Sequence, residues 1–350
     1  MMRWIKRLVA LVLAMALVAG AGAYWMQGRL HEPFRGYVTP KVFVDIPPGS
    51  GPMRIGERLV EAGVVADPWI FRAALWQSGR ARMLKAGEYR FDAPMDPLAV
   101  IDKIARGDVY KRLLTFREGL TIREMAQVFE ERGFGKADAF LKAATNASLV
   151  SDIDPTARNL EGYLFPETYS LPRDTPASAV VEQMVSNFKS VLTPDVLAGA
   201  KAQGLSVRQL VTLASLVEKE TASPPERPVV AAVYRNRMTI NMGMQADPTV
   251  IYALELAGKY RGNLTKENLQ FDSPYNTYRY PGLPPGPIAS PGQASLEAAV
   301  APADVRYVYF VSRNDGTHAF AVTLAEHAAN VRKFQVDYFR QRRLATRQRR

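Results

Sequence analysis

The first apolar pattern in the chain is an unbroken one: Leu8 to Met26 carries no charge and follows Arg3, Lys6 and Arg7. A run of this length spans a bilayer, and positive charge on its leading side points the rest of the chain out of the cytoplasm. A cleaved signal peptide is the competing reading, with Ala19-Gly20-Ala21 as its small-residue site. The run exceeds a usual signal core, and Tyr24 and Trp25 suit a membrane interface, so the expectation is an uncleaved anchor over 8–27 behind a short cytoplasmic stub, 1–7.

Beyond a linker the pattern repeats at an offset of 70 residues. Ile46-Pro47-Pro48-Gly49 with Leu59 to Val64 aligns without a gap on Phe116-Arg117-Glu118-Gly119 with Phe129 to Phe134. Each copy reads strand, Gly turn, helix and Gly stop. A second short helix follows each (Pro68 to Ser78; Ala137 to Thr145), and then a Gly-plus-aromatic strand, Gly87 to Phe91 in the first copy and Gly162 to Phe165 in the second. Two copies are too few for a solenoid. They predict a small βααβ module over 40–110 and a second such unit, 111–170, opening a larger domain that runs to 339.

From Asp174 to Leu256 the periodicity is mostly helical, with helices over Ser206 to Thr221 and Val229 to Met238. The stretch Gln270 to Gly292 has no period. It holds Phe271, Tyr275, Tyr278, Tyr280 and six prolines, a composition of fixed backbone and exposed rings that suits the faces and hydroxyls of a sugar. Ser290, Pro291 and Gln293 then read as a helix start with a capping box. A hairpin follows, Tyr307 to Val311 and His318 to Val322 around Asn314-Asp315-Gly316, and the last helix runs through His327, Val331, Phe334 and Tyr338. The fold class is α+β: an anchor, a βααβ module, then a mixed α/β domain closed by a hairpin and helix.

Charge narrows the partners. The net charge is +11, but four basic residues lie in 1–30 and six arginines in the tail from Arg340, neither stretch holding an acid, so the body from 31 to 339 is near +1. That excludes a broad nucleic-acid face and leaves 340–350 as a solvated basic tail. There is no cysteine, hence no thiolate nucleophile or thiolate-bound metal, and His31, His318 and His327 are too scattered for a zinc site. No phosphate-cradling Gly-Lys-Ser/Thr loop occurs. No metal and no cofactor is expected.

Chemistry concentrates on the helix from Ser206. At about 100° per residue, Arg208, Thr212, Ser215 and Lys219 form its polar stripe and the rest is largely apolar. Glu218 and Glu220 fall on opposite borders of the apolar arc, about 200° apart. They cannot serve one site together, so the helix offers one carboxyl, not the acid/base pair of an ordinary glycosidase. A carboxyl among valines and alanines loses hydration in its charged form and gains the pKa of a general acid. Geometry alone does not choose between the two, and both could equally pair with basic neighbours.

Several blocks resemble the endolytic murein transglycosylases of the MltG (YceG-like) type. They are Glu161 to Tyr169, Leu213 to Thr221, Tyr234-Arg235-Asn236-Arg237, Gln245 to Tyr252, Tyr275 to Tyr278 and Gly282 to Ile288. The resemblance covers nearly everything after the anchor. It implies a single-pass inner-membrane protein with a LysM-like module and a periplasmic catalytic domain. Such a protein cuts peptidoglycan glycan strands internally and leaves 1,6-anhydro-N-acetylmuramic acid ends. In that family the first Glu of the Val-Glu-Lys-Glu block is the catalytic acid, which selects Glu218. Asn236, Gln245, Asp247, Thr249, Tyr252, Tyr275 and Asn276 are then the candidates for binding acetamido and hydroxyl groups, with Asp247 alternatively capping the helix that Pro248 begins. Glycan strands and the membrane are the implied partners, with peptidoglycan synthases beside them. A membrane-tethered glycan-binding scaffold without catalysis is the alternative. A pyridoxal-phosphate lyase is disfavoured by the expected location and by the missing phosphate loop.

Overall fold

The computed structural model describes residues 2–342, and the tail beyond, with most of the expected basic run, lies outside them. The chain divides into two compact units: residues 1–113 with 170–174, and 114–169 with 175 onward.

The first unit opens with helix α1 (Met2–Leu30), of which Arg7–Leu30 has a mean hydropathy of 2.1 and the length to cross a membrane. Strand β1 (Val42–Ile46) is followed by α2 (Pro52–Glu61), α3 (Pro68–Ser78), β2 (Gly87–Phe91) and α4 (Pro97–Arg106). β1 and β2 pair antiparallel with Val44 opposite Tyr89. The expected strand-helix-helix-strand order holds here, and local chemistry explains why. Gly63 takes φ +69 and stops α2, while the Asp67 side chain accepts from Trp69 N to start α3. The inward residues of each element (Ile46, Leu59, Phe71, Tyr89, Ile101) meet in one core, joined by Leu30 from the end of α1.

Strand β3 (Lys111–Thr115) leads from the first unit into the second, and β4 (Thr168–Pro172) likewise has residues in both; the second unit further holds α5 (Ile122–Glu131), α6 (Ala137–Ala144), α7 (Ala177–Val191), α8 (Pro194–Ala202), α9 (Val207–Glu220), α10 (Arg227–Thr239), α11 (Asp247–Leu256), α12 (Gln293–Val300), β5 (Tyr309–Ser312), β6 (His318–Ala321) and α13 (Leu324–Val331). β3 pairs with β4, and β5 with β6 through Phe310 opposite Phe320. At the hairpin tip Asn314 and Gly316 take positive φ, as the Asn-Asp-Gly turn requires. After α13 the backbone passes into a π-helical stretch, Arg332–Asp337, which shifts the last apolar positions off a single 3.6-residue stripe.

The second repeat departs from its expectation. Gly162 to Phe165 is a turn, with Tyr163 N donating to Leu160 O, and the strand begins later, at Thr168. Gly162 has φ +83 and lies against Pro287 and Val211, so the segment turns over α9 rather than joining a ladder. Tyr163 is buried and donates its hydroxyl to Asp154. α9 is the centre of this unit, packed by α8, α10, α11 and α12, with Leu210 to Val217 all buried.

That burial corrects the expected polar stripe. Thr212 and Ser215 are inside the protein because their hydroxyls are satisfied locally: Thr212 donates to Arg208 O at 2.7 Å and Ser215 to Thr212 O at 2.7 Å. Ser215 also accepts from Ile288 N at 3.1 Å. Arg208, at the same helix's first turn, pairs with Asp154 at 2.9 Å.

Candidate active site

Glu218 sits in the last turn of α9 with its side chain 7% exposed. Its Oε2 accepts two hydrogen bonds, from Ser295 Oγ at 2.7 Å and from Gly292 N at 3.0 Å. Gly292 is the N-cap of α12 and, having no side chain, cannot cap it itself. Glu218 therefore caps that helix from a distance of 74 residues in sequence. The expected capping box at Ser290 does not form. Ser290 is buried and extended beside Leu120, exchanging backbone bonds with 119–120 on either side.

The other oxygen, Oε1, lies 3.3 Å from a terminal nitrogen of Arg227 at the start of α10. The same nitrogen reaches Glu118 Oε2 at 3.4 Å, so two carboxylates share one guanidinium. Burial lifts the Glu118 carboxyl above its ordinary range, the Glu218 charge adds to this, and Arg227 opposes it. Glu118 remains half exposed. Its carboxyl lies against Gly292, where any Cβ would collide with it. Lys219 Nζ holds the floor of the turn through Gly119 O at 3.2 Å.

Glu220 faces elsewhere. It accepts from Tyr234 OH at 3.1 Å, and burial raises its carboxyl above the usual range against that hydrogen bond. It lines a cavity of about 300 Å³ with Arg237, Gln245, Asp247, Tyr278 and His318. Tyr278 OH donates to Asp247 at 2.6 Å, and His318 Nδ1 pairs with Glu226 at 2.8 Å. His327 stacks on Tyr309 at 5.0 Å, and its Nδ1 has no hydrogen-bond partner among the described residues. Gln245 has φ +49, a strained conformation held here by Thr277 O.

The seven expected substrate-binding residues are thus dispersed, and none hydrogen-bonds Glu218. Gln245 and Asp247 belong to the Glu220 cavity. Asp247 does not cap α11; it is that helix's first residue, and Ala246 is the N-cap. Tyr252 donates to Glu161 at 3.2 Å in a separate hollow of about 200 Å³, and Tyr275 packs on the Tyr252 ring at 5.0 Å. Thr249, Asn236 and Asn276 hold backbone. Thr249 Oγ1 bonds Ala246 O and Thr277 Oγ1, Asn236 Nδ2 donates to Val305 O and Tyr307 O, and Asn276 Nδ2 donates to Leu269 O and Phe271 O.

Glu118, Arg227, Gly292 and Ser295, the groups that do meet Glu218, were not among the expected site residues. Their one signal was Glu118 in the Phe-Arg-Glu-Gly block, where it read only as part of a repeat.

Glu161 is a buried structural carboxyl, accepting from Ile122 N at 3.0 Å, and burial pushes it up to about 7. Because this carboxyl ionises near its ordinary value of 4.5 in the unfolded chain, the folded state holds the extra proton between these values. Stability should fall as pH rises from about 4.5 to about 7 and then level off. Glu161→Gln is expected to flatten that slope and to be the more stable protein above pH 7, as urea melts across this range would show. An unchanged slope would mean that Glu161 is not the titrating group.

The YceG-like family model matches residues 44–333. The endolytic murein transglycosylase of Bacillus subtilis (strain 168) is 33% identical over 322 residues, covering 87% of this chain and 88% of its own. That of Streptococcus pneumoniae D39 is 30% identical over 357 residues; the match covers 92% of this chain and 64% of the longer pneumococcal protein. The crystal structure of a YceG-like protein from Listeria monocytogenes superposes with a TM-score of 0.57 at 31% identity, over 83% of this chain and 98% of that one. With the model match spanning both units and the Glu218 helix, the chain belongs to the YceG-like family.

Proposed function

We propose that Glu218 is the catalytic acid of an endolytic murein transglycosylase. The activity rests above all on the end-to-end relationship to the Bacillus subtilis enzyme of that name. The choice of residue rests on the resemblance of the Val217-Glu218-Lys219-Glu220 block and is supported by a buried carboxyl whose Oε2 is hydrogen-bonded by Ser295 and Gly292 while its Oε1 meets only Arg227, a guanidinium shared with Glu118.

The reaction asks for a single group. Glu218 protonates the leaving oxygen of the β-1,4 bond after N-acetylmuramic acid, and the C1–O bond breaks. The resulting carboxylate takes the proton of the sugar's C6 hydroxyl, whose oxygen closes on C1 as the 1,6-anhydro ring. No water enters. The substrate's own acetamido group carries the positive charge at C1, as in substrate-assisted glycosidases. Ser295 and Gly292 occupy Oε2, so Oε1 is the oxygen that meets the substrate. Arg227 then leaves it for Glu118, which already shares the guanidinium.

α1 supports a membrane anchor, and the family resemblance extends this to a single pass through the inner membrane with everything after α1 in the periplasm, a LysM-like module over 40–110, a catalytic domain over 111–339, and peptidoglycan synthases as neighbours. A second reading has one observation in its favour. Glu220, with a raised pKa, shares its cavity with Gln245 and Asp247, two of the expected sugar-binding residues.

Mass spectrometry of products from purified uncrosslinked strands tests the activity. New ends should be 1,6-anhydro-N-acetylmuramic acid arising from internal cuts. Reducing-end sugar carrying oxygen from labelled water would show hydrolysis, and Glu118 would then be the acid to examine as its second carboxylate.

A further inference from the structure

α3 is apolar on both of its faces. Ile70, Phe71, Ala74 and Leu75 fill the core of the first unit. The opposite face shows Trp69 and Trp76, which are 69% and 87% exposed and stand two turns apart. Arg72 lies between them with its guanidinium 4.9 Å from the Trp69 ring. The neighbouring helices of the same unit are built otherwise. α2 turns Arg54, Glu57 and Glu61 outward with one exposed apolar residue, Met53, at its first turn, and α4 turns out Arg106. Two outward tryptophans on one small helix are an exception that solvent does not account for.

Their position names the occupant. The last turn of α1 belongs to the same core: Leu30 is 3% exposed and Met26 packs beside it. α1 packs on α3, and Arg29 and Ile70 line one small hollow with Phe34 and Pro97. The start of α3 therefore stands where α1 leaves the unit. A hydrocarbon layer of about 30 Å takes about 20 helical residues, so a span beginning near Leu8 ends near Gln27. Only about one turn then separates the bilayer from Leu30. Tryptophan with arginine, a broad ring with a polar edge beside a cation, is what the headgroup layer accepts.

We infer that the outward face of α3, Trp69 and Trp76 with Arg72, lies in the headgroup layer of the membrane that α1 crosses, holding the first unit against anionic phospholipid. This rests on the reading of α1 as an uncleaved anchor. The interaction adds a second membrane contact to a single-span protein and restricts how the first unit can tilt about the end of its anchor.

The full chain is tested in nanodiscs of phosphatidylethanolamine and phosphatidylglycerol holding one copy each. One protein carries Trp4→Phe and Trp25→Phe, leaving Trp69 and Trp76 to emit; a second carries Trp4→Phe, Trp69→Phe and Trp76→Phe, leaving Trp25. Lipids brominated near the headgroup should quench the first protein roughly twofold, with blue-shifted emission. The Trp25 protein reports the anchor. If Trp25 is quenched and Trp69 and Trp76 are not, the docking face is refuted and the anchor stands. If Trp25 is not quenched, anchor and docking fall together. A blue shift seen only with two copies per disc would assign the face to a second chain and overturn the inference. Because the chain has no cysteine, Gln77→Cys can carry a nitroxide with both tryptophans intact. Its label should collide with oxygen more than with a water-soluble nickel complex, and the reverse preference would also overturn the inference.

Discussion

Glu218→Gln is expected to lower glycan cleavage by about 10³-fold, the scale of a lost general acid, while the protein stays folded. The amide keeps an oxygen to accept from Gly292 N and Ser295 Oγ, so the cap of α12 survives. What is lost is the transferable proton and the attraction to Arg227, worth about 1 kcal/mol of stability. Glu220→Gln should retain activity within about tenfold, because the amide still accepts from Tyr234 OH. Rates on purified strands, with a thermal melt of each variant, decide the matter. The opposite ranking would move the acid to the Glu220 cavity and make Gln245 and Asp247 its sugar-binding partners. Equal loss in both would leave neither assignment standing.

Gly162→Ala should destabilise the second unit by about 3 kcal/mol, the sum of a left-handed backbone cost and an overpacked core. Gly162 has φ +83, and a Cβ there would stand 2.4 Å from Pro287 Cβ and 2.9 Å from Val211 Cγ1. Neither neighbour can yield. Pro287 is a ring in the loop bonded to Ser215 through Ile288, and Val211 is in the buried face of α9. Gly133→Ala is the control, with φ +74 and open space around the added carbon. It should cost only about 1 kcal/mol, the backbone part alone. A melting temperature lowered by about 10 °C for the first and by a few degrees for the second is the expected result. Equal shifts would show that the loop over α9 gives way, and that Gly162 is there for its dihedral only. Activity should fall with stability in the Gly162 variant, since the segment it displaces lies on the helix that carries Glu218.

What could be read along the chain was whatever depends on neighbours within a few residues. The apolar run of α1, the glycine stops after α2 and α5 and the Asn-Asp-Gly hairpin are all contests between a backbone and its own adjacent side chains. The Glu218 helix was legible for the same reason, and the family blocks were legible as order in sequence.

Burial and partnership were not. Thr212 and Ser215 read as a wet stripe because their type is polar, but each satisfies its hydroxyl on a carbonyl of its own helix, which frees α9 to be enclosed. Gly162 to Phe165 read as a strand from composition, whereas the loop that arrives from Pro287 forces a turn there. The seven amides, hydroxyls, rings and acid expected around one carboxyl were divided among two cavities and the supports of three loops. Residue type states what a side chain can bond, not which backbone reaches it first. The local pattern determined where the helices run and that α9 carries a carboxyl at each border. Only the tertiary structure decided that Glu218 would meet Ser295, Gly292, Arg227 and Glu118, because those groups come from three segments up to 177 residues apart and are joined only when α9 is closed in by α10 and α12.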